Sequence, residues 1–257
     1  MRVLLSPAKT FRKEELSPEA GASQPLFLKE AESIMSELSA WSPGELSERM
    51  HISSNLAEET AARHLNWSPP FHPGNSGLAV LSFHGDVYRA LGAERWNAPD
   101  YDFAQQTLRI ISGLYGLLRP LDLVQEYRLE MGTPWGPKGG KSLYNHWGET
   151  LAQHLNEDAD GGPIVNLASV EYAKALKLGS QKSTVVTCSF KEEKQGSLKM
   201  IGTYAKHARG KMASFIVKNR ITEVAGLQAF DEAGYHFNVE LSNETEFVFT
   251  RPSKITT

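Results

Sequence analysis

The chain has 257 residues, of which 40% are hydrophobic and 22% charged, and its formal net charge is −3. This mixture is typical of a globular protein and excludes disordered and fibrous chains, while the net charge excludes a uniformly cationic, nucleic-acid-binding surface. Cys188 is the only cysteine, which excludes an intramolecular disulfide and a cysteine-based zinc site. No stretch approaches the roughly 20 apolar residues of a membrane span, so we expect a cytoplasmic protein.

The first predicted element is a short buried strand over residues 3–5. It ends in the loop S-P-A-K-T at residues 6–10, because Pro7 cannot continue a strand ladder. Ser6 and Lys9 fit the S-x-x-K pattern of serine acylases, but the S-D-N and K-T-G motifs that accompany that pattern do not occur in the chain. We therefore expect Lys9 either to contact an anion or to be a plain surface charge.

Helices are predicted next over residues 25–41, from Ser42, where S-P-G-E forms a capping box, and over residues 56–65. Residues 14–62 contain ten acidic side chains and only two basic ones. We expect these helices to present a plain, solvated acidic surface.

The middle of the chain begins with a turn-rich segment at residues 67–77. Residues 78–83 are then predicted as a buried strand, and Gly85 opens a short helix. Residues 99–111 have the best helical pattern of the chain, with acidic residues near the positive end of the helix dipole. This helix is expected to stop at Ser112.

Residues 108–120 have the outline of a helix-hairpin-helix. In such an element glycines let backbone N–H groups approach a DNA phosphate. The glycines here are three residues apart rather than the usual two, and Pro120 shortens the second helix, so an ordinary helix–turn connection is the alternative. The candidate phosphate contacts of this segment are Arg109, Gly113, Gly116 and Arg119.

A strand-to-helix junction supplies two further candidates. Residues 164–167 predict a strand and residues 169–176 a helix, after another helix over residues 141–155. Asn166 and Ser169 lie at the junction, the position at which open α/β sheets commonly bind ligands. The alternatives are a backbone-bracing role for Asn166 and a helix N-cap for Ser169.

The C-terminal third contains a basic helix. Residues 194–222 hold seven basic residues and no acidic one. Helical spacing places Lys206 and Arg209 on one face, so this face is either an anion-binding stripe or a solvated charged surface. The predicted elements of this region are strands over residues 184–190 and 198–204, the helix over 205–220, and strands over 235–239 and 246–249.

This order of helices and strands predicts a mixed α/β fold in one domain, residues 1–257, with a mixed sheet and surrounding helices. The sequence lacks the G-x-x-x-x-G-K-[ST] phosphate loop, the Rossmann G-x-G-x-x-G fingerprint and the H-E-x-x-H metal motif. We therefore expect no bound cofactor and no tightly bound metal.

Several motifs, taken together and in order, resemble the YaaA peroxide-stress family. The resemblance runs from residue 1 to about residue 250. It implies a cytosolic bacterial protein that helps cells to withstand hydrogen peroxide by limiting free intracellular iron, and a single domain with a basic cleft and a DNA-binding helix-hairpin-helix. The motifs are L-S-P-A-K-T at 5–10, G-D-V-Y at 85–88, D-F-A-Q-Q at 102–106, S-G-L-Y-G at 112–116, L-R-P-L-D-L at 118–123, Y-R-L-E-M-G at 127–132, N-L-A-S at 166–169, Y-A-K at 204–206 and A-R-G at 208–210.

The chain departs from the family pattern at two places. Val170 stands where an acidic residue is usual before Glu171, and the loop at residues 133–140 diverges. If the acidic residue were catalytic, this chain would lack it.

Two functions follow as hypotheses. The first is binding of double-stranded DNA or another phosphate-bearing ligand in a basic cleft; the alternative is an enzyme that acts on a small phosphorylated or nucleotide-like substrate in the same cleft, using carboxylates such as Asp86 or Asp102. Iron storage is disfavoured, because the two Glu-x-x-His motifs of di-iron bundles are not both present. The predicted contacts are Lys9, Arg109, Gly113, Gly116, Arg119, Arg128, Asn166, Ser169, Lys206 and Arg209.

Overall fold

A computed structural model describes residues 1–12, 21–194 and 196–252. The strands are β1 (Arg2–Leu5), β2 (Thr10–Phe11), β3 (Gly77–Leu78), β4 (Phe83–His84), β5 (Leu108–Ser112), β6 (Gly116–Leu118), β7 (Leu123–Val124), β8 (Ile164–Asn166), β9 (Val185–Lys194), β10 (Ser197–Lys199), β11 (His236–Phe237) and β12 (Glu246–Pro252).

Helices surround these strands. The α-helices are α1 (Leu28–Leu38), α2 (Pro43–Met50), α3 (Ser54–Asn66), α4 (Ala79–Ser82), α5 (Asp86–Leu91), α6 (Ala98–Thr107), α7 (Leu143–Trp147), α8 (Thr150–Ala159), α9 (Val170–Lys174) and α10 (Gly202–Lys218). Short 3-10 helices lie at Ala93–Arg95, Leu178–Ser180, Val224–Ala229, Glu232–Gly234 and Val239–Leu241. Within the described ranges, no helix is both long and apolar enough to cross a membrane.

The main sheet has the strand order β11-β12-β9-β8-β1-β5-β6, and β10 pairs with the end of β9. The strands from β12 to β5 in this order are parallel, whereas β6, β10 and β11 pair antiparallel. Val3 at the centre pairs with Leu108 on one side and with Val165 on the other. The predicted mixed α/β class and mixed sheet are confirmed.

The central strands are buried on both faces. Val3, Leu4 and Leu5 of β1 have no exposed surface, and all five residues of β5 are buried. Strands that are covered on both faces are continuous apolar runs rather than alternating ones. The same runs are compatible with a buried helix, because periodicity alone does not separate the two.

This ambiguity explains why the expected helix-hairpin-helix at residues 108–120 is wrong. The helix α6 ends at Thr107, and the following residues form β5, a tight turn and β6, which pair as an antiparallel hairpin. The predicted helix over residues 99–111 is therefore too long by four residues.

Two predicted strands are also wrong in part. Most of the 78–83 segment is the short helix α4, between β3 and β4. In the 198–204 segment, β10 ends at Lys199 and α10 begins at Gly202, three residues before its predicted start.

The two glycines of the β5–β6 hairpin lie in the core. Gly116 has a φ of +68°, and a Cβ atom there would lie 2.9 Å from Leu151 and 3.0 Å from Trp147. A Cβ atom on Gly113 would lie 2.8 Å from the carbonyl oxygen of Leu129. Both glycines therefore permit close packing of the backbone, and neither faces the cleft described below.

Candidate functional site

The candidate site lies at the carboxyl edge of the main sheet, where β1 and β8 are neighbours. From β1 the chain continues to β5 on one side, whereas from β8 it continues to β9 on the other. Such a reversal opens a crevice outside the carboxyl ends of the two strands, which is where open α/β sheets bind ligands. The loops that leave β1 and β8 contain residues 6–9 and 167–169.

Hydroxyl groups join these two loops. The backbone N–H of Ser169 donates to the Oγ atom of Ser6 at 2.9 Å, and the two serine Oγ atoms are 3.3 Å apart. The hydroxyl of Tyr88 donates to the carbonyl oxygen of Ser6 at 2.9 Å. Ser6 thus braces the junction, and the ammonium group of Lys9 pairs with Glu130 instead of Ser6.

Beside the junction is a cleft of about 240 Å³. Its walls come from the end of α2, from the segment that follows β7, and from the first turn of α9. It is lined by Arg49, Met50, His51, Arg128, Glu130, Gly132, Thr133, Pro134 and Glu171.

The carboxylate of Glu130 lies between two cations. Its Oε2 atom is 2.6 Å from the Nζ atom of Lys9, and its Oε1 atom is 3.5 Å from an Nη atom of Arg128. The side chain of Arg128 is only 12% exposed, and its buried Nε atom has no hydrogen-bond partner. The Nε atom is too buried to meet a ligand, whereas the Nη1 atom makes no hydrogen bond within the described ranges. Arg128 therefore has unused capacity for an acceptor at Nη1.

A second carboxylate, that of Glu171, lies on the α9 side of the cleft. Its Oε1 atom accepts a hydrogen bond from the backbone N–H of Gly132 at 2.9 Å. Within the described ranges its Oε2 atom has no hydrogen bond or ion pair. Glu171 is therefore anchored through one oxygen and has the other available. Val170, the preceding residue, is 87% exposed.

Three buried tyrosines lie beneath these charges. Desolvation by burial raises the pKa values of Tyr88, Tyr127 and Tyr172 well above the ordinary value. Electrostatic interaction with Tyr127 adds to the shift at Tyr88 and at Tyr172, and Glu171 and Glu130 add to it at Tyr172. The hydroxyl of Tyr127 lies 2.7 Å from the Oγ atom of Ser112. These phenols therefore stay neutral at physiological pH.

The helices α2 and α3 form a hairpin at the mouth of the cleft. Three residues join them, and the first, His51, has a left-handed φ of +52°. The Nε2 atom of His64 on α3 accepts a hydrogen bond from the backbone N–H of Arg128 at 3.3 Å. Burial lowers the pKa of His64 to about 4, so a neutral imidazole ties the hairpin to the segment that carries Arg128.

A comparison with known protein families identifies the family of the chain. A family model described as "Peroxide stress protein YaaA" matches residues 1–241. The chain belongs to the YaaA peroxide-stress family. Membership supports a role in peroxide stress.

Relatives named "UPF0246 protein" cover nearly the whole chain. One from Colwellia psychrerythraea (strain 34H / ATCC BAA-681) is 42% identical over 254 residues, and one from Cellvibrio japonicus (strain Ueda107) is 44% identical over 255 residues. A third, from Dechloromonas aromatica (strain RCB), is 46% identical over 254 residues. Each alignment covers 98% of this chain and 99% of the relative.

The motifs that resemble the YaaA family meet at the cleft. The Y-R-L-E-M-G segment supplies Arg128 and Glu130 to the lining, and Glu171 follows N-L-A-S. The L-S-P-A-K-T loop brings Lys9 beside the cleft, where it pairs with Glu130. Asn166 braces the junction, because its side chain accepts from the N–H of Ala168 at 3.0 Å and donates to Thr187. Ser169 takes the N-cap position of α9.

Arg109 and Arg119 do not reach the cleft. They lie at the opposite, amino edge of the sheet, where Arg109 makes a bidentate pair with Asp158 and is 5% exposed. Arg119 pairs with the buried Asp122. The structure therefore places both arginines in ion pairs that hold the fold together.

The basic helix α10 is also outside the lining of the cleft. Lys206 is exposed, whereas Arg209 is largely buried beside Cys188 of β9, and its Nε atom has no hydrogen-bond partner. Burial lowers the pKa of Arg209 and raises that of Cys188 to about 12. Further along α10, Lys218 pairs with Asp100 and so does Arg220 just after the helix.

Four ionisable residues that line the cleft were not predicted from the sequence. Glu130 lies inside the Y-R-L-E-M-G motif, and Glu171 lies two residues after N-L-A-S. Their positions in the motifs could have identified them, but other residues of these segments were predicted as the phosphate contacts. The carboxylates considered instead do not line the cleft: Asp86 pairs with Arg89, and Asp102 is exposed. Arg49 and His51 gave no signal, because they lie in the acidic helical region.

Proposed function

We propose that this YaaA-family protein acts in the peroxide response by binding the phosphate backbone of DNA at the cleft, and that it limits free intracellular iron. Lys9, Arg49 and Arg128 supply the phosphate contacts. The carrying observation is that three cations come from three separate segments: Arg49 and Arg128 line the cleft, and Lys9 lies beside it through its ion pair with Glu130, a lining residue. Cationic side chains with free donors are the usual partners of phosphate oxygens.

The α2–α3 hairpin supports this proposal through its turn. The turn and the end of α2 bring Arg49 and His51 to the cleft, and Arg49 is held over the ring of Trp41 at 4.7 Å. The outer faces of the two helices carry more acidic than basic side chains, including the exposed Glu48 and Glu58. Contact with DNA is therefore assigned to the turn and not to the helix faces.

Salt dependence of duplex binding tests the proposal. The logarithm of the association constant should fall against the logarithm of salt concentration with a slope of about −0.9 for each phosphate that is neutralised. Fluorescence anisotropy of a labelled duplex, titrated at several salt concentrations, gives both affinity and slope. A protein that does not bind at low salt, or that binds without salt dependence, would contradict the proposal.

Matched lysine variants locate the interface. Lys9→Ala should weaken binding and reduce the magnitude of the slope by about one unit. Lys182→Ala is the control, since Lys182 precedes β9 at the amino edge of the sheet, away from the cleft. Lys206→Ala tests whether the basic helix α10, instead of the cleft, contacts DNA. An effect of Lys206→Ala without an effect of Lys9→Ala would move the interface to α10.

The iron effect is tested in cells. The proposal assigns it no ligand residues, and within the described ranges no group of three or more His, Cys, Asp or Glu side chains is arranged to hold a metal. A deletion strain that carries Lys9→Ala should show the same rise in free iron as the deletion alone, measured by electron paramagnetic resonance of chelated iron. Full rescue by Lys9→Ala would separate the iron effect from the cleft.

The carboxylates favour a second candidate, an enzyme that acts on a small phosphorylated or nucleotide-like substrate. Glu130 and Glu171 line the same small cleft as Arg128, and paired carboxylates are suited to general acid–base chemistry. Incubation with nucleotide mixtures, followed by mass spectrometry, distinguishes the two. A changed nucleotide that disappears in Glu171→Gln would favour the enzyme.

A further inference from the structure

We infer that the cleft holds a single unpaired guanine nucleotide, with its phosphate on Lys9 and Arg128 and the donor edge of the base on Glu171. The inference rests on the phosphate contacts of the proposed function and adds what the cleft recognises beyond phosphate. It follows from the charges, the size and the lining of the cleft.

The charges of the cleft are mixed rather than purely cationic. Glu130 already occupies the space between Lys9 and Arg128, with contacts of 2.6 and 3.5 Å. Glu171 adds a second negative charge to the lining. A phosphate that contacts Lys9 and Arg128 shares these cations with Glu130 and leaves the second oxygen of Glu171 without a donor. A ligand that brings hydrogen-bond donors together with its phosphate satisfies both signs.

Glu171 is suited to recognise hydrogen-bond donors of a ligand. Its Oε1 atom is fixed by the N–H of Gly132, and a Cβ atom at position 132 would lie 3.2 Å from that same oxygen. Each carboxylate oxygen has two lone pairs, so Oε1 keeps one acceptor site beside the Gly132 N–H while Oε2 keeps both, and the group can receive two parallel N–H bonds from a ligand. Such an anchored carboxylate selects a ligand edge with two adjacent donors.

Among the nucleobases, guanine presents that edge. Its ring N1–H and its exocyclic amine are neighbouring donors, whereas adenine and cytosine place an acceptor beside their amine, and thymine flanks its N–H with two carbonyl oxygens. A carboxylate that accepts from the exocyclic amine of a base is an established mode of direct readout. The chemistry of Glu171 therefore favours guanine over the other bases.

The size of the cleft sets the remaining condition. A volume of about 240 Å³ is below the roughly 300–1,000 Å³ of ordinary ligand pockets, so the cleft has room for a single base, with the phosphate at its rim beside Lys9, and not for a base pair. The walls include Met50, His51 and Pro134, which offer apolar or flat surfaces of the kind that flank a base outside its stack. The occupant is accordingly an unpaired nucleotide, either free or extruded from a strand.

Mononucleotide titrations test the recognition directly. Isothermal titration calorimetry of the full chain at low salt compares guanosine, inosine and adenosine 5′-monophosphates and inorganic phosphate. Inosine lacks only the exocyclic amine, so its monophosphate should bind about tenfold more weakly, since a hydrogen bond to a charged group has about that value. Equal binding of the three nucleotides, or no binding of any, would overturn the inference.

A second arm uses DNA and separates the sources of the nucleotide. A duplex with one bulged guanine should bind about tenfold more tightly than the same duplex with an abasic bulge. In Glu171→Gln the guanine-to-inosine ratio should fall to about one, because an amide places a donor against a donor; Lys182→Ala should keep the wild-type ratio. If Glu171→Gln loses the near-ultraviolet circular dichroism of the wild type, Glu171→Asp replaces it and should reduce the ratio without abolishing it.

The two arms distinguish this inference from the proposed function. Salt-dependent duplex binding with no preference for guanine would retain the proposed function and overturn the inference. A preference for guanosine over inosine monophosphate without any duplex binding would retain the cleft's specificity and remove the DNA proposal.

Discussion

The two edges of the main sheet both carry buried arginines, but their surroundings differ. At the amino edge, Arg109 donates to both oxygens of Asp158 at 2.7 and 2.8 Å and to two backbone carbonyl groups. At the carboxyl edge, Arg128 has one ion-pair contact of 3.5 Å and an unsatisfied Nε atom. Their side chains are 6% and 12% exposed, so burial does not separate them.

The two arginines differ in how many of their N–H donors are hydrogen-bonded. A fully satisfied buried ion pair has no donor left for a ligand, and its loss leaves an uncompensated charge in the fold. An incompletely satisfied guanidinium beside a cleft costs stability and keeps capacity for an acceptor. Arginines that look equivalent in sequence are thus expected to serve structure at one edge and binding at the other.

The largest expected effect comes from breaking the amino-edge pair. Arg109→Met should lower the free energy of unfolding by about 3 kcal/mol, because Asp158 keeps Arg2 as its only cationic partner among the described residues. Urea unfolding measures the change. The double variant Arg109→Met with Asp158→Leu should recover part of the loss, and equal stability of wild type and Arg109→Met would contradict the structural role of this pair.

Acid should affect the two edges in different pH windows. His64, near the cleft, has a folded pKa of about 4 against 6.5 when unfolded, so between these values the unfolded chain binds a proton that the folded protein does not. Stability should fall as pH drops through this window, by about 3 kcal/mol in total.

Asp158 acts at lower pH. Burial opposes its ionisation, but hydrogen bonds from Arg109 and Arg2 outweigh burial and lower its pKa below 3.8. Its contribution is present above that value and is lost as pH falls through the folded pKa. Urea unfolding from pH 7 to 3 should show both losses. His64→Gln should reduce the slope between pH 6.5 and 4 without removing it, because burial also lowers the pKa values of His146 and His154. An unchanged slope there would contradict the role of His64.

A glycine pair sharpens the distinction between core and surface. Gly116→Ala should destabilise by about 2 kcal/mol more than Gly161→Ala, measured by urea unfolding. Both positions have positive φ, +68° and +74°, but only at Gly116 would the added methyl group have neighbours within 4 Å. Equal losses would show that the left-handed backbone, and not core packing, requires glycine at position 116.

The smallest stability effect is expected at the cleft. Lys9→Ala should change the free energy of unfolding by no more than about 0.5 kcal/mol, because the Lys9 side chain is 61% exposed and exposed ion pairs contribute little. The same variant should weaken DNA binding. A large loss of stability without a loss of binding would assign Lys9 to the fold.

Part of the site was accessible from the sequence. The polar residues at strand ends, Lys9 after β1 and Ser169 after β8, were found because a turn signal follows an apolar run. The fold class followed from the mixed order of elements. The hairpin at residues 108–120 was misassigned, since β5 is buried on both faces and lacks the alternation that marks a strand.

The sequence by itself determined the class of the fold, the short strand that precedes Lys9 and the motifs that identify the YaaA family, because these depend on local pattern and on residue identity. The tertiary structure decided which charges meet. Arg109 and Arg119 were separated from Lys9 by the length of the strands. Parallel pairing of β1 with β8 brought the segments that carry Lys9 and Glu171 to one edge of the sheet, and Glu130 reaches that edge from the segment after β7. Pairing of charges depends on distances between remote segments, and no local pattern contains those distances.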